Sequence, residues 1–283
     1  MKTRLILVTG SSGMFAQDFL KVASQMRFEL LALDRSQLDI TNLGQVRETI
    51  GRFSPWAVVN GAAYTNVDKA ETETSSAMAA NAIGPRNLAI ACEETGSCLL
   101  HISTDYVFDG TKEGRYEVWD DTNPINFYGK SKLWGERYII SLCRRFFIVR
   151  TSWLFGQHGK NFVRTMINLS KDSKPLRVVN DQWGSPTYTT DLAQACLSLL
   201  QTGAFGTYHV TNTGITNWYE FAVEIFRQIG ISKPVIPIAS EDFPTPAKRP
   251  RNSALDPYPL KETVRFLLPE WQDGLKRYLQ ELQ

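Results

Sequence analysis

One stretch near the start limits the fold more than any other. The apolar run Leu5-Ile6-Leu7-Val8 breaks on Thr9-Gly10-Ser11-Ser12-Gly13-Met14-Phe15-Ala16, a helical pattern follows, and a second apolar run closes on Asp34. A strand apolar on both faces belongs inside a parallel sheet. Glycines at this spacing let the backbone turn sharply and approach a ligand closely. The helix that follows offers free N–H groups and a partial positive charge to a pyrophosphate. Gly10, Ser12, Gly13 and Met14 are the expected contacts. Ala16 is small enough to let the helix lie close on the strand. The turn therefore points to a dinucleotide, and it constrains what must surround it.

The rest of the chain repeats the unit. Strands are expected over 4–9, 29–33, 57–60, 98–103 and 146–151, and helices over 15–26, 43–53, 76–95 and 128–143. Such alternation builds an α/β fold, a Rossmann-type doubly wound parallel sheet covered on both faces. After Arg150 the pattern loosens. Helices are expected over 161–170, 190–201, 218–230 and 269–282, with strands over 176–179 and 208–210. The division expected is a dinucleotide-binding domain over 1–151, with returns to it from about 187–212, and a smaller, mainly substrate-binding lobe over 152–283. The stretch 239–259, rich in proline and polar residues, reads as an ordered loop over a site.

Composition excludes other classes. Lysine and arginine number 31 against 29 acids, a net charge of +2, which argues against a nucleic-acid partner. No apolar run approaches the roughly twenty residues of a membrane span. The apolar stretch in 1–10 is too short for a signal peptide, so a cytoplasmic location is expected. Four cysteines, Cys92, Cys98, Cys143 and Cys196, fit no zinc or disulfide spacing and read as buried free thiols. Of the three histidines, His101 and His209 read as strand residues without a role, and no metal-ligand pair occurs. The cluster Lys248-Arg249-Pro250-Arg251 suits one anionic ligand.

Asp34 stands where a carboxylate would bond an adenosine ribose and favours NADH. Arg35, next to it, suits a 2′-phosphate and favours NADPH. The choice stays open. Asp39 suits the adenine amino group or a capped turn, and Ile40 packs on the ring. Tyr128 and Lys132 lie at i and i+4, on one helical face. A lysine ammonium there is expected to lower the phenol's pKa, making Tyr128 a proton donor to a ketone that receives a hydride. Thr104 ends a central strand at the ligand crevice, where its hydroxyl reaches the substrate oxygen.

These residues, with Asn60-Gly61-Ala62-Ala63-Tyr64-Thr65-Asn66-Val67-Asp68, Ser103-Thr104-Asp105-Tyr106-Val107-Phe108, Tyr128-Gly129-Lys130-Ser131-Lys132, Arg150-Thr151-Ser152-Trp153 and Asp181-Gln182-Trp183-Gly184-Ser185-Pro186, carry a resemblance. The chain resembles the extended short-chain dehydrogenase/reductase family, and within it the dTDP-4-dehydrorhamnose reductase branch. The resemblance implies NADPH- or NADH-dependent reduction of the C4 ketone of dTDP-4-dehydro-6-deoxy-L-mannose to dTDP-L-rhamnose, for surface polysaccharide. It implies Thr104, Tyr128 and Lys132 as the catalytic set, with Lys132 also on the cofactor ribose. It places Ala62, Ala63, Tyr64 and Ser103 on the cofactor. Asn66, Val67, Asp105, Tyr106, Trp153, Gln182 and Arg249 go to the sugar nucleotide. Trp153 reads equally as a lobe-interface residue, and Arg249 as a solvated charge. Asn81 reads as a backbone brace. Some relatives hold magnesium through glutamates at a dimer interface. Here Asp18 is the nearest acid on the first helix, which leaves magnesium open and a homodimer possible. An epimerase or dehydratase of this fold, or a regulatory subunit that has lost catalysis, are the alternatives.

Overall fold

The computed structural model of the chain describes residues 4–172 and 174–282. Six parallel strands form the central sheet: β1 (Arg4–Thr9), β2 (Phe28–Leu33), β3 (Ala57–Asn60), β4 (Cys98–Thr104), β5 (Phe146–Thr151) and β6 (Gly206–His209), in the order β6-β5-β4-β3-β1-β2. The last four residues of β1 and all of β3 are buried, as continuous apolar runs require of central parallel strands. The chain lays β2 on one side of β1 and β3 on the other. This reversal opens a crevice beyond the carboxyl ends of β1 and β3. In register, Thr9 stands beside Asn60 and Asn60 beside His101.

Both faces are covered. On one, α1 (Met14–Ser24) and a later helix, Thr189–Thr202, bury Phe15, Phe19, Ala193 and Cys196 against Ile6, Val8 and Val149. On the other, α2 (Leu43–Phe53), α3 (Gly84–Thr95) and α4 (Phe127–Leu142) bury Val46, Ile50, Leu88, Cys92 and Ile139 against Leu7, Val58 and Leu99. Burying each large apolar side chain contributes about 1.5–3 kcal/mol. The helix expected over 76–95 is not uniform. It begins as Thr74–Met78, widens into a π turn over Ala79–Ile83, and resumes as α3. Pro85 has no N–H to give the carbonyl of Asn81, four residues back, and that break in the ladder coincides with the wide turn.

Beyond β5, Phe155, Tyr188, Phe221, Trp271 and Tyr278 form a third apolar cluster among the helices Phe162–Leu169, Trp218–Gln228 and Trp271–Glu281. Three short strand pairs tie it together, one of which joins Val235–Ile238 to Leu176–Val179. The sequence signal for Val235–Ile238 is masked by Pro237, which sits on an exposed edge where a missing donor costs nothing. Residues 239–259 are ordered but do not line the crevice. They are tied instead to the cap of α4 and to the loop after β4: Asn126 donates to the Lys248 carbonyl at 2.8 Å, and Asn252 to that of Lys112 at 2.8 Å. All four cysteines are buried and free. Among the described residues, no helix is long and apolar enough to cross a membrane.

Candidate active site

A cavity of about 990 Å³ fills the crevice. Gly10, Ser12, Gly13 and Met14 form one wall. Gly10 has φ +63°, and a Cβ there would lie 2.6 Å from the Ala62 backbone, so only glycine closes this turn against β3. Gly13 caps α1 without a side-chain bond, leaving N–H groups of its first turn bare. That is the donor set a pyrophosphate needs, and the residues fit a dinucleotide. Ile40, Ala62, Ala63 and Tyr64 continue the wall. Asn81, fully buried, accepts from the Tyr64 N–H at 2.8 Å and donates to its carbonyl at 2.9 Å and to Ser131 at 2.9 Å. It is the expected brace.

At the adenosine end, the two signals separate. The Asp34 carboxylate accepts from the Ser36 hydroxyl at 2.6 Å and the Ser36 N–H at 2.8 Å, bonds that hold its pKa below the usual range, and it does not line the cavity. Arg35 does line it. Asp39 lines the cavity while also closing a turn, accepting from the Thr41 N–H at 2.9 Å.

Thr104, Asp105, Tyr106, Tyr128 and Lys132 line the same cavity, with Ser103. Asn126 caps α4 by accepting from Gly129 at 2.8 Å, which sets Tyr128 in the first turn. Gly129 touches the Tyr106 carbonyl so closely that no side chain fits. The Tyr106 and Tyr128 rings meet edge-on, 5.9 Å apart.

The expected acidification of Tyr128 is not what the structure shows. Burial pushes the phenol up to about 12, against which a bond with the Thr104 hydroxyl pulls down. The reason is where Lys132 points. Its Nζ donates to the Ile102 carbonyl at 2.6 Å and lies 3.2 Å from His101 Nε2. Burial lowers Lys132 itself to about 8. Asp105 is raised to about 6 by burial, against which the Ser253 and Thr104 hydroxyls pull down; its Oδ1 accepts from Thr104 at 2.9 Å. Beneath this wall, Ser103 donates to Glu136, whose carboxylate pairs with buried Arg150 at 2.7 Å.

Val67, Tyr106 and Trp153 line the outer cavity. Trp153, at φ +49°, stacks on Trp218 with ring centres 3.6 Å apart. The wall does not include Asn66, Gln182 or Arg249. Asn66 caps the short helix Val67–Ala70, Gln182 donates to Ser240 at 2.9 Å, and Arg249 forks onto Asp68 at 3.0 and 3.1 Å. Sequence patterning assigns no role to Trp218, Glu136, Asn60 or His101. A lone histidine inside an otherwise apolar central strand is the available signal for the last. Among the described residues, no three His, Cys, Asp or Glu side chains gather as a metal site.

The chain is similar to known proteins along nearly its whole length. The family model described as the RmlD substrate binding domain matches residues 3–283. A dTDP-4-dehydrorhamnose reductase of Aggregatibacter actinomycetemcomitans is 42% identical, with 96% of this chain and 97% of that protein covered. The crystal structure of a dTDP-4-dehydrorhamnose reductase from Clostridium acetobutylicum superposes with a TM-score of 0.96 at 44% identity, covering 99% of each chain. That of the Bacillus anthracis dTDP-4-dehydrorhamnose reductase, in complex with NADP, also gives 0.96 at 40% identity, covering 99% of this chain and 100% of that one. Matched from end to end by its model, this chain belongs to the RmlD substrate binding domain family.

Proposed function

We propose that the chain reduces the C4 ketone of dTDP-4-dehydro-6-deoxy-L-mannose to dTDP-L-rhamnose with NADPH or NADH, for surface polysaccharide. The observation that carries this reading is one cavity lined both by a pyrophosphate-binding turn and by Thr104, Tyr128 and Lys132. The relatives' names support the substrate class. The same reading takes 1–151, with returns from about 187–212, as the dinucleotide-binding domain and 152–283 as mainly the substrate lobe.

When bound, the nicotinamide supplies the hydride. The bare N–H groups in the first turn of α1 hold the pyrophosphate. Arg35, on the wall where Asp34 is not, reaches a 2′-phosphate and favours NADPH. Lys132 holds ribose hydroxyls. Thr104 orients the ketone oxygen. Tyr128 keeps its proton at neutral pH and gives it to that oxygen as negative charge develops, an effect worth about 10²–10⁴ in rate. Trp153 and Trp218 shield the reacting centre from water with Val67 and Tyr106.

The test is coupled oxidation of NADPH and of NADH across several 4-keto sugar nucleotides. Turnover with the dTDP-linked 4-keto-6-deoxy sugar is expected, faster with NADPH. Cofactor binding without turnover of any of them would favour the regulatory reading.

A further inference from the structure

Beneath Lys132, a buried chain of side chains runs across three strands. Thr9, Asn60, His101 and Lys132 are each at most 2% exposed. The Asn60 Oδ1 accepts from the Thr9 hydroxyl at 2.7 Å and from the Ala62 N–H at 3.1 Å. A backbone N–H can only donate, so it fixes which way the amide of Asn60 faces. The Asn60 NH₂ is then the group 2.8 Å from His101 Nδ1. That ring nitrogen must accept. A nitrogen that accepts carries no proton, so the ring is neutral, as its full burial favours, and its one proton is on Nε2. Nε2 faces Lys132 Nζ at 3.2 Å.

An ammonium has no lone pair to accept from that N–H. Two donors would stand opposed in a buried site. An amine resolves the conflict, accepting from His101 while still donating to the Ile102 carbonyl at 2.6 Å. We propose that His101 is a positioning residue acting through Lys132: held as the Nε2–H tautomer by Asn60, it opposes the ammonium and loosens the lysine's hold on its proton. The idea rests on the reductase reading for its purpose, since a group that exchanges its proton near working pH is matched to proton relay. The titratable groups around the pair are Tyr128 one turn before Lys132, Glu136 one turn after it and tied to Arg150 of β5, and Asp105 at the end of β4. The Glu136 charge favours the ammonium, so it opposes His101.

Long-range ¹H–¹⁵N correlation spectra of the cofactor-free chain read the tautomer directly, with His101 assigned by its contact to the Lys132 side chain. A protonated Nε2 and bare Nδ1 are expected; a protonated Nδ1 overturns the proposal. Asn60→Asp offers Nδ1–H a carboxylate and reverses the tautomer. The ¹³Cε titration of Lys132 then moves up by at least one pH unit, a tenfold rise in proton affinity. A rise with the tautomer unchanged would assign the effect to the added charge and remove His101 from it. A reversed tautomer with no rise would do the same. The wild-type spectrum needs neither a variant nor turnover, so its outcome is independent of coupled NADPH oxidation, which tests the reductase reading.

Discussion

Desolvation in this site favours the uncharged form of each ionisable group it touches. It pushes Tyr128 up to about 12 and Asp105 up to about 6, and Lys132 down to about 8. A phenol that keeps its proton is a donor, which suits reduction rather than proton abstraction. Tyr128→Phe is expected to cut turnover at least a hundredfold with NADPH affinity kept within twofold, measured by steady-state kinetics and fluorescence titration. Equal turnover would remove the phenol from the chemistry. Asp105 makes a second prediction. Its folded pKa of about 6 lies above the ordinary 3.8, so between those values the native state binds more protons than the unfolded one. Stability therefore falls as pH rises through that window, and the loss persists above it. Asp105→Asn removes the charge, and its melting temperature relative to the native chain should rise by a few degrees between pH 4 and pH 8. A pH-independent difference would show that the carboxyl is not strained by burial.

The elements that carry these residues are held by polar side chains as much as by packing. Asn81, on the π turn, satisfies both backbone groups of Tyr64 on the cofactor wall. Leaving two part-buried backbone groups unpaired costs up to about 1–3 kcal/mol each. Asn81→Leu should therefore lower stability by about 2–4 kcal/mol in denaturant titration and weaken NADPH about tenfold, while Asn81→Asp, which keeps the acceptor, loses less. Equal loss in both would show that the brace works by volume alone. The π turn itself lets Gly135 of α4 lie directly on the Asn81 carbonyl, where no side chain fits. Helix type was legible here from alanine-rich periodicity, whereas the wide turn depends on a proline and on a neighbouring helix that the local pattern does not contain.

Across the whole molecule, the cavity is built by segments far apart in the chain: the turn after β1, the ends of β3 and β4, the first turns of α4, and Trp153 and Trp218 from beyond the sheet. A ligand that bridges these walls stabilises the native state by mass action. NADPH at about a hundred times its dissociation constant should add about 2.7 kcal/mol and raise the melting temperature measurably, more than adenosine alone at the same concentration if the nicotinamide end is also held. No shift would mean that the walls do not close on a dinucleotide.

The order of apolar runs, helical periods and the first glycine turn is written locally, in residues adjacent along the chain. That is why the sheet, most of its helices and the trio Thr104, Tyr128 and Lys132 are legible in the sequence. Which partner each buried polar side chain finds depends on residues distant in the chain, and only the assembled structure decides that. It joined Arg249 to Asp68 and turned the Ser103 hydroxyl onto Glu136. It set His101 between Asn60 and Lys132, and so placed the lysine's proton beside a residue to which the local pattern gives no role.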